Sequence, residues 1–566
     1  MNPRKTRKII EDGFKNVLEV LKDERANLGL LLCVLKRLLA NKRMRREKRG
    51  PNDMAISLLF ICFIWFVWRV YEKYGKSGGS GMNFVDMGVH SLSLLTMVNI
   101  LLAIVIIFLE RRNVATTWAW ILILLFLPVV GFMLYIIFGQ NLSKRKIFQL
   151  NAEHTEEFVR KLSVQAKELE ERRFQFRDPE IEQYQPIIYM NLVSGYGLLT
   201  QDNEVKIFTD GKEKFHALLK DIDQAKDHIH LLYFIIKNDG IGNQIVQALT
   251  RKAKEGVKVR VLYDDMGSAW LPPRFFKPLI EAGGEVAAFF PSKWIPYLNF
   301  RVNYRNHRKV VVIDGKIGYV GGFNIGDEYL GLSPKFGYWR DTHLRIKGSS
   351  VDALQSRFFL DWNNASEKEL RYEKRYFPEK SSQGTSALQI VSSGPDSEWE
   401  QIKNGMIKMI YSAKERIDIQ TPYFVPDDSL MHALKIAALS GVEIRLMIPN
   451  QPDHMFVYWA TYSYIGELLK VGVKCFIYEK GFIHAKTIVV DGKIASVGTA
   501  NFDVRSFKLN FEVNAFLFDV QVAGRLQTIF EQDLKNSREL TKEVYNRRSN
   551  WIRFKESISR LLSPIL

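Results

Sequence analysis

Cysteine is scarce, with three in 566 residues. Only Cys475 lies outside the N-terminal 100 residues, so no intramolecular disulfide can form in the larger part of the chain. None of the three has metal-ligand spacing, and no cluster of Cys, His or Asp has it either. That absence leads us to expect chemistry without a metal or other cofactor. Evenly spread positive charge is also missing. The formal net charge is +18, yet residues 1–50 alone carry 15 Lys and Arg against six Asp and Glu. The rest is only mildly basic, so no nucleic-acid partner is expected, and an anionic membrane is left as the fitting partner class.

Charge is absent altogether from three successive runs. Met54–Trp68 has 15 uncharged residues, Met87–Leu109 has 23 and Asn113–Ser143 has 31. A bilayer crossing needs about 17–25 apolar residues. The second and third runs meet this length, and the first falls short of it. The expected spans are 88–109 and 115–138, with 54–71 as a borderline third, in a transmembrane region of 51–143. About fifty residues precede the first run, so a cleavable signal peptide is not expected. Within the basic segment 1–50, "ANLGLLLCVLKRLLANKRMRREKRG" fits either a helix on an anionic leaflet or a solvated helix. The basic N-terminus favours the cytoplasm, and two crossings would return the catalytic part to the same side. Three crossings would place it outside.

Beyond a charged connector (144–200), short apolar strands alternate with helices, and the pattern occurs twice. "HIHLLYFII", a helix and "GVKVRVLYDD" in one half correspond to "RIDIQTPYFVPD", a helix and "GVEIRLMIPN" in the other. This order implies an α/β fold of two tandem α-β-α half-domains, 201–375 and 388–566. Turn formers in "YFPEKSSQGTSA" mark the linker.

Each half carries one further motif. His307, Lys309, Asp314, Gly321 and Asn324 recur at identical spacing as His484, Lys486, Asp491, Gly498 and Asn501. Alternation along a strand puts each His and Lys on one face. Each Asp falls on the other face, in an Asp-Gly turn, which fits a structural role better than a catalytic one. Two His, two Lys and two Asn suit a phosphodiester. Lys309, Lys486, Asn324 and Asn501 can hold its non-bridging oxygens, one neutral imidazole can attack phosphorus, and a protonated one can serve the leaving alkoxide. Such a division needs a distinct carboxylate partner for each ring. Asp341 and Glu512, each on the strand after its motif, are candidates for orienting the imidazoles. His343 shares a strand face with Asp341 and is a candidate site-lining residue.

These residues resemble the phospholipase D superfamily, whose HxKxxxxD motif occurs twice in its lipid-processing members. "TTWAWILILLFLPVVGFMLYIIFG", "GYVGGFNIGDEYLG", "YWRDTHLRI", "QTPYFVPD" and "NFDVRSFKLNFEVNAF" are similar to the bacterial cardiolipin synthases within it. The similarity runs from about residue 88 to the end. It implies one active site shared by the two halves, with His307, Lys309, Asp314, His484, Lys486 and Asp491 as the catalytic set. It implies a multi-pass enzyme of the bacterial cell membrane that moves a phosphatidyl group between two phosphatidylglycerol molecules, giving cardiolipin and glycerol. By analogy His307 is the nucleophile and His484 the acid, then base, although near-symmetry leaves the reverse order open. Gly322 and Thr499 stand where many relatives have Ser.

Apolar aromatic stretches at Trp270–Phe276, Phe289–Phe300 and Met455–Tyr464 fit an acyl-chain substrate, or the core. The segment Asn550–Leu566 reads as a basic amphipathic helix that either rests on a membrane or packs on the second half. A phospholipase with water as acceptor would use the same machinery. A membrane-tethered nuclease and a non-catalytic lipid scaffold fit the residues less well.

Overall fold

The computed structural model describes residues 114–127, 131, 152–291, 303–380, 384–397 and 399–563. The expected basic segment 1–50, the spans at 54–71 and 88–109 and nearly all of 128–138 lie outside the described residues. The chain divides into two compact units between residues 132 and 133. In the first, Val114–Phe126 is an uncharged helix of 13 residues. Among the described residues no helix is long and apolar enough to cross a membrane.

The second unit contains the duplication. Its first sheet is built from β1 (Thr200–Asp210), β2 (His228–Tyr233), β3 (Lys258–Asp264), β4 (Glu285–Phe289), β6 (Val310–Ile313), β7 (Ile317–Gly321) and β8 (Tyr338–Lys347), with the two-residue β5 (Arg305–Asn306) leading into the first motif. The strand order is β4-β3-β2-β6-β7-β8-β1, parallel from β4 to β2 and antiparallel from there on.

The second sheet repeats this with β9 (Ser386–Ser393), β10 (Arg416–Gln420), β12 (Glu443–Pro449), β13 (Lys474–Tyr478), β15 (Thr487–Val490), β16 (Ile494–Gly498) and β18 (Asn510–Phe518). Its order is β13-β12-β10-β15-β16-β18-β9, again parallel and then antiparallel. Short strands β11 (Phe424–Val425), β14 (Gly481–Ile483), β17 (Phe502–Asp503) and β19 (Ser537–Glu539) complete the set. β1 and β9 pair with each other, so the two sheets form one continuous mixed system.

The sequence of β6, "VVVI", shows how the layers form. Val310 and Val312 face a central core, while Val311 and Ile313 face an outer one, as a period of two requires. A strand buried on both faces has no polar side and reads as continuously apolar. The central core takes side chains from both sheets and from the helices Ser350–Ala365 and Val520–Leu534. The helices Gly211–Asp223 and Gly240–Lys254 cover the outer face of the first half. Gln401–Ser412, Asp428–Leu439 and Met455–Lys470 cover that of the second.

Candidate active site

Two short strands decide the geometry, and each crosses to the opposite half. β5 runs parallel to β18, pairing Asn306 with Phe511, and the His307 amide donates to Phe511 O at 3.0 Å. One residue further along that register, His307 meets Glu512. β14 runs parallel to β8, pairing Ile483 with Arg340, and the His484 amide donates to Arg340 O at 2.7 Å. His484 therefore meets Asp341.

The His307 Nδ1 atom lies 3.0 Å from both Glu512 oxygens, and the His484 Nδ1 atom lies 2.6 Å from Asp341 Oδ2. Each imidazole is thus paired with the carboxylate of the other half, not with the acid that follows its own motif. Donation from Nδ1 to the carboxylate fixes the tautomer and leaves Nε2 for chemistry.

The lysines share the site with the histidines. Lys309 Nζ donates to His307 O at 2.6 Å, and Lys486 Nζ donates to His484 O and lies 2.9 Å from His484 Nδ1. Burial pulls the Lys309 ammonium down to about 7 and that of Lys486 to about 8, against the nearby carboxylates. Burial also lowers His307, to about 4, and lowers His484, where Lys486 adds to the effect. Each lysine depresses the histidine of the other half as well as its own, so the four groups form one electrostatic site. Burial pushes Asp341 and Glu512 upward, yet Lys486 and His484 at the first, and His307 and Lys309 at the second, hold both below their ordinary values.

The two dyads differ in their support. Glu512 also accepts from Thr499 Oγ1 at 2.5 Å and Asn510 Nδ2 at 3.2 Å. At the matching place in the other half stands Gly322, where a Cβ would lie 1.9 Å from Asp341 Oδ1. Asp341 instead accepts the Thr342 amide at 2.7 Å. The longer acid goes with a hydroxyl, and the shorter with a bare backbone.

The remaining expected residues fall as follows. Asp314 accepts the amides of Lys226, Asp227 and His228 at 2.8–3.0 Å, and Asp491 those of Lys414, Glu415 and Arg416 at 2.7–2.9 Å. Both have left-handed backbones, with φ 52°, in their Asp-Gly turns. Their carboxylates tie each turn to the start of β2 or β10. Asn324 Oδ1 accepts from the Ile235 amide, and its Nδ2 donates to Tyr329 Oη at 3.3 Å. Asn501 Oδ1 is buried with no partner among the described residues.

His343 is fully buried beneath the Gly321 bend, with Lys214 lowering its pKa after burial itself. Its counterpart Asn514 accepts the Thr499 and Ala500 amides. Lys214 went unnoticed in the sequence. It is a buried amine whose Nζ donates to Tyr233 Oη at 2.8 Å, and burial holds its pKa well below the usual lysine range against the opposing charge of Asp341. Around the histidines stand Phe234, 4.8 Å from His307 between ring centres, and Trp339 and Tyr423, 5.2 and 6.5 Å from His484.

Among the described residues no group of three or more His, Cys, Asp and Glu is arranged to hold a metal ion. Of the aromatic stretches, Phe276 is core, Trp270 is exposed, 292–300 lie outside the described residues, and Met455 and Phe456 are exposed.

A family model described as "Cardiolipin synthase, PLD-like domain" matches residues 218–336 and 406–534. The major cardiolipin synthase of Bacillus subtilis is 58% identical over 476 residues, 84% of this chain and 98% of that protein. The chain belongs to the phospholipase D-like cardiolipin synthase family. The cardiolipin synthase of Oceanobacillus iheyensis is 56% identical across 85% of this chain and 100% of its own. A second model, "Phospholipase_D-nuclease N-terminal", matches residues 97–140. Among solved structures, phosphatidylserine synthase of Haemophilus influenzae shares the fold at 16% identity, with a TM-score of 0.50, covering 64% of this chain and 95% of that one. The two matched segments fall on the two sheets described above.

Proposed function

We propose that this protein is a cardiolipin synthase that transfers a phosphatidyl group from one phosphatidylglycerol to the terminal hydroxyl of a second. The observation that carries the mechanism is the exchange of carboxylates between the halves, which gives each imidazole its own acid. Neutral His307 attacks phosphorus through Nε2. The phosphorus–oxygen bond to glycerol breaks, and protonated His484 gives that oxygen its proton. The negative phosphodiester, beside Asp341, favours the imidazolium of His484 that this step needs.

The product of the first step is a phosphatidyl-histidine, whose positive ring faces Glu512. His484, now neutral, takes the proton of the incoming hydroxyl, that oxygen attacks phosphorus, and the phosphorus–nitrogen bond breaks. Lys309 and Lys486 hold the non-bridging oxygens as charge builds. Asn501 and Asn324 line the phosphate, where their amide nitrogens can donate to its oxygens. His307 as nucleophile is supported by its low pKa of about 4 and by the fuller support of its partner acid. The apolar runs before residue 143 anchor the enzyme in the bacterial cell membrane, with the catalytic unit on the cytoplasmic side.

The test is product analysis on phosphatidylglycerol vesicles, following lipids and free glycerol together. Cardiolipin with one glycerol per molecule is expected, and phosphatidic acid with glycerol would make the protein a phospholipase with water as acceptor. His307→Ala or His484→Ala should abolish turnover with lipid binding retained. Activity surviving both substitutions would remove the mechanism.

A further inference from the structure

The helix Asn550–Leu561 packs in an unusual sense. It lies on the helix Met455–Lys470 through Ile552 and the buried polar side chains Glu556 and Ser559. The contact is pinned by Arg560 to Glu467, while Arg548 binds Glu556 at 2.9 Å within the C-terminal segment itself. Its large apolar residues face elsewhere. Trp551, Phe554, Ile558 and Leu561 fall three or four residues apart on one stripe and are 64%, 54%, 40% and 76% exposed. Trp551 and Phe554 stack on each other at 5.5 Å. Burying such side chains is the ordinary reason for an amphipathic helix, and nothing among the described residues covers them.

Position and charge say what does. Lys555 lies over Trp459 at 5.1 Å and Arg560 over Tyr464 at 4.6 Å, so the two helices run in the same direction. Trp551 is therefore at the end nearest His454, Met455 and Phe456. His454 lies 6.2 Å from Tyr423, and Tyr423 lies 6.5 Å from His484. The stripe thus continues toward the mouth of the site through Met455 and Phe456, both exposed. On the matching loop of the first half, after β3, Trp270 is 95% exposed. Arg547 and Arg553 are exposed beside the stripe, and Lys555 flanks it. An apolar stripe with an interfacial Trp and a basic border fits the plane of an anionic bilayer.

We propose that the helix Asn550–Leu561 is a membrane-docking surface that lies in an anionic phospholipid interface and holds the mouth of the active site against the bilayer. The proposal deepens the lipid-transfer reading and rests on it. Its test uses full-length protein reconstituted into vesicles whose phosphatidylglycerol carries brominated acyl chains, which quench nearby tryptophan. Wild type should lose more emission than Trp551→Phe, the difference approaching about a tenth of the total for one Trp in eleven, and phosphatidylcholine vesicles should shrink it. Equal quenching of the two proteins would overturn the proposal.

The fourfold variant Trp551→Ser, Phe554→Ser, Ile558→Ser, Leu561→Ser should raise KM for vesicle phosphatidylglycerol about tenfold or more, and keep wild-type turnover in detergent micelles. Equal loss in micelles would overturn docking and assign the stripe to folding. A dimeric mass in wild type that the fourfold variant halves would overturn it in favour of a face between copies. If wild type forms no cardiolipin in either setting, the reaction assignment fails, and the quenching comparison still decides the docking.

Discussion

Glu512→Gln is the substitution that best separates positioning from charge. The glutamine keeps the shape, can accept from His307 Nδ1 through Oε1, and can turn its amide toward Thr499. That hydroxyl has a second acceptor in Val513 O at 3.2 Å, so it can rotate to receive the amide. In the resting enzyme His307 is neutral, being held down to about 4 by burial. Removing the carboxylate charge therefore costs the folded resting state little, on the order of 1 kcal/mol for the changed hydrogen bonds. The charge matters once the imidazole is phosphatidylated and cationic. Two unit charges about 4 Å apart at an effective dielectric of about 20 attract by about 4 kcal/mol. Each 1.36 kcal/mol is tenfold in rate, so kcat should fall about a thousandfold. The midpoint of thermal unfolding should stay close to wild type, and KM should rise by far less than kcat falls, Glu512 being also the main carboxylate that sustains the Lys309 charge. Steady-state glycerol release on phosphatidylglycerol vesicles, with a melt in detergent, measures all three. A kcat within about threefold of wild type, or a loss confined to KM, would refute a cationic histidine facing Glu512.

Gly322→Ala places a Cβ where Asp341 Oδ1 now sits, and the carboxylate can move only by releasing the Thr342 amide or His484. A loss of kcat of about a hundredfold or more is expected, against less than about threefold for Thr499→Ser, which keeps the hydroxyl on Glu512. Similar kinetics for the two variants would contradict the asymmetry of the dyads. In the free enzyme Lys309 and Lys486 lose their protons as pH rises through about 7 and 8, and the charge that holds phosphate goes with them. The pH profile of kcat/KM should therefore rise as His307 becomes neutral above about pH 4, decline as His484, lowered by burial, loses the proton of the first step, and fall more steeply beyond about pH 7 as the lysines follow. A flat profile between pH 6 and 9 would count against both lysines as phosphate ligands.

Much of this arrangement is legible in the chain because duplication repeats each local signal. The equal spacing of the two motifs, the matched strand–helix order and the Asp-Gly turns all correspond to elements at equivalent places in the two sheets. What sequence hides is the partner of each histidine. Asp341 and Glu512 each sit one strand after a motif in their own half, and proximity along the chain pairs them there. The exchange depends on β5 and β14, strands of two and three residues whose register is set by the opposite sheet. No periodicity exists over so few residues. Lys214 escaped notice for a similar reason, since a lysine in an amphipathic helix reads as solvated, and only packing shows it under β2.

The exchange explains why a duplicated unit stays symmetric in fold yet diverges at its centre. Neither half orients its own imidazole, so each half alone lacks a complete dyad. Arg308 strengthens the dependence, binding Asp361 of the first half at 2.7 Å and the carbonyls of Glu512 and Ser393 in the second at 3.1 and 3.0 Å. The two steps of a transfer reaction ask different things of the two rings. The nucleophile must carry a full positive charge within the covalent intermediate, whereas the acid must gain and lose one proton. In the proposed mechanism, a longer carboxylate braced by Thr499 and Asn510 would meet the first demand, and a shorter one held by a single amide would suit the second. The unequal acids, with Gly322 beside Asp341 and Thr499 bracing Glu512, are the differences on which the proposed division of work rests.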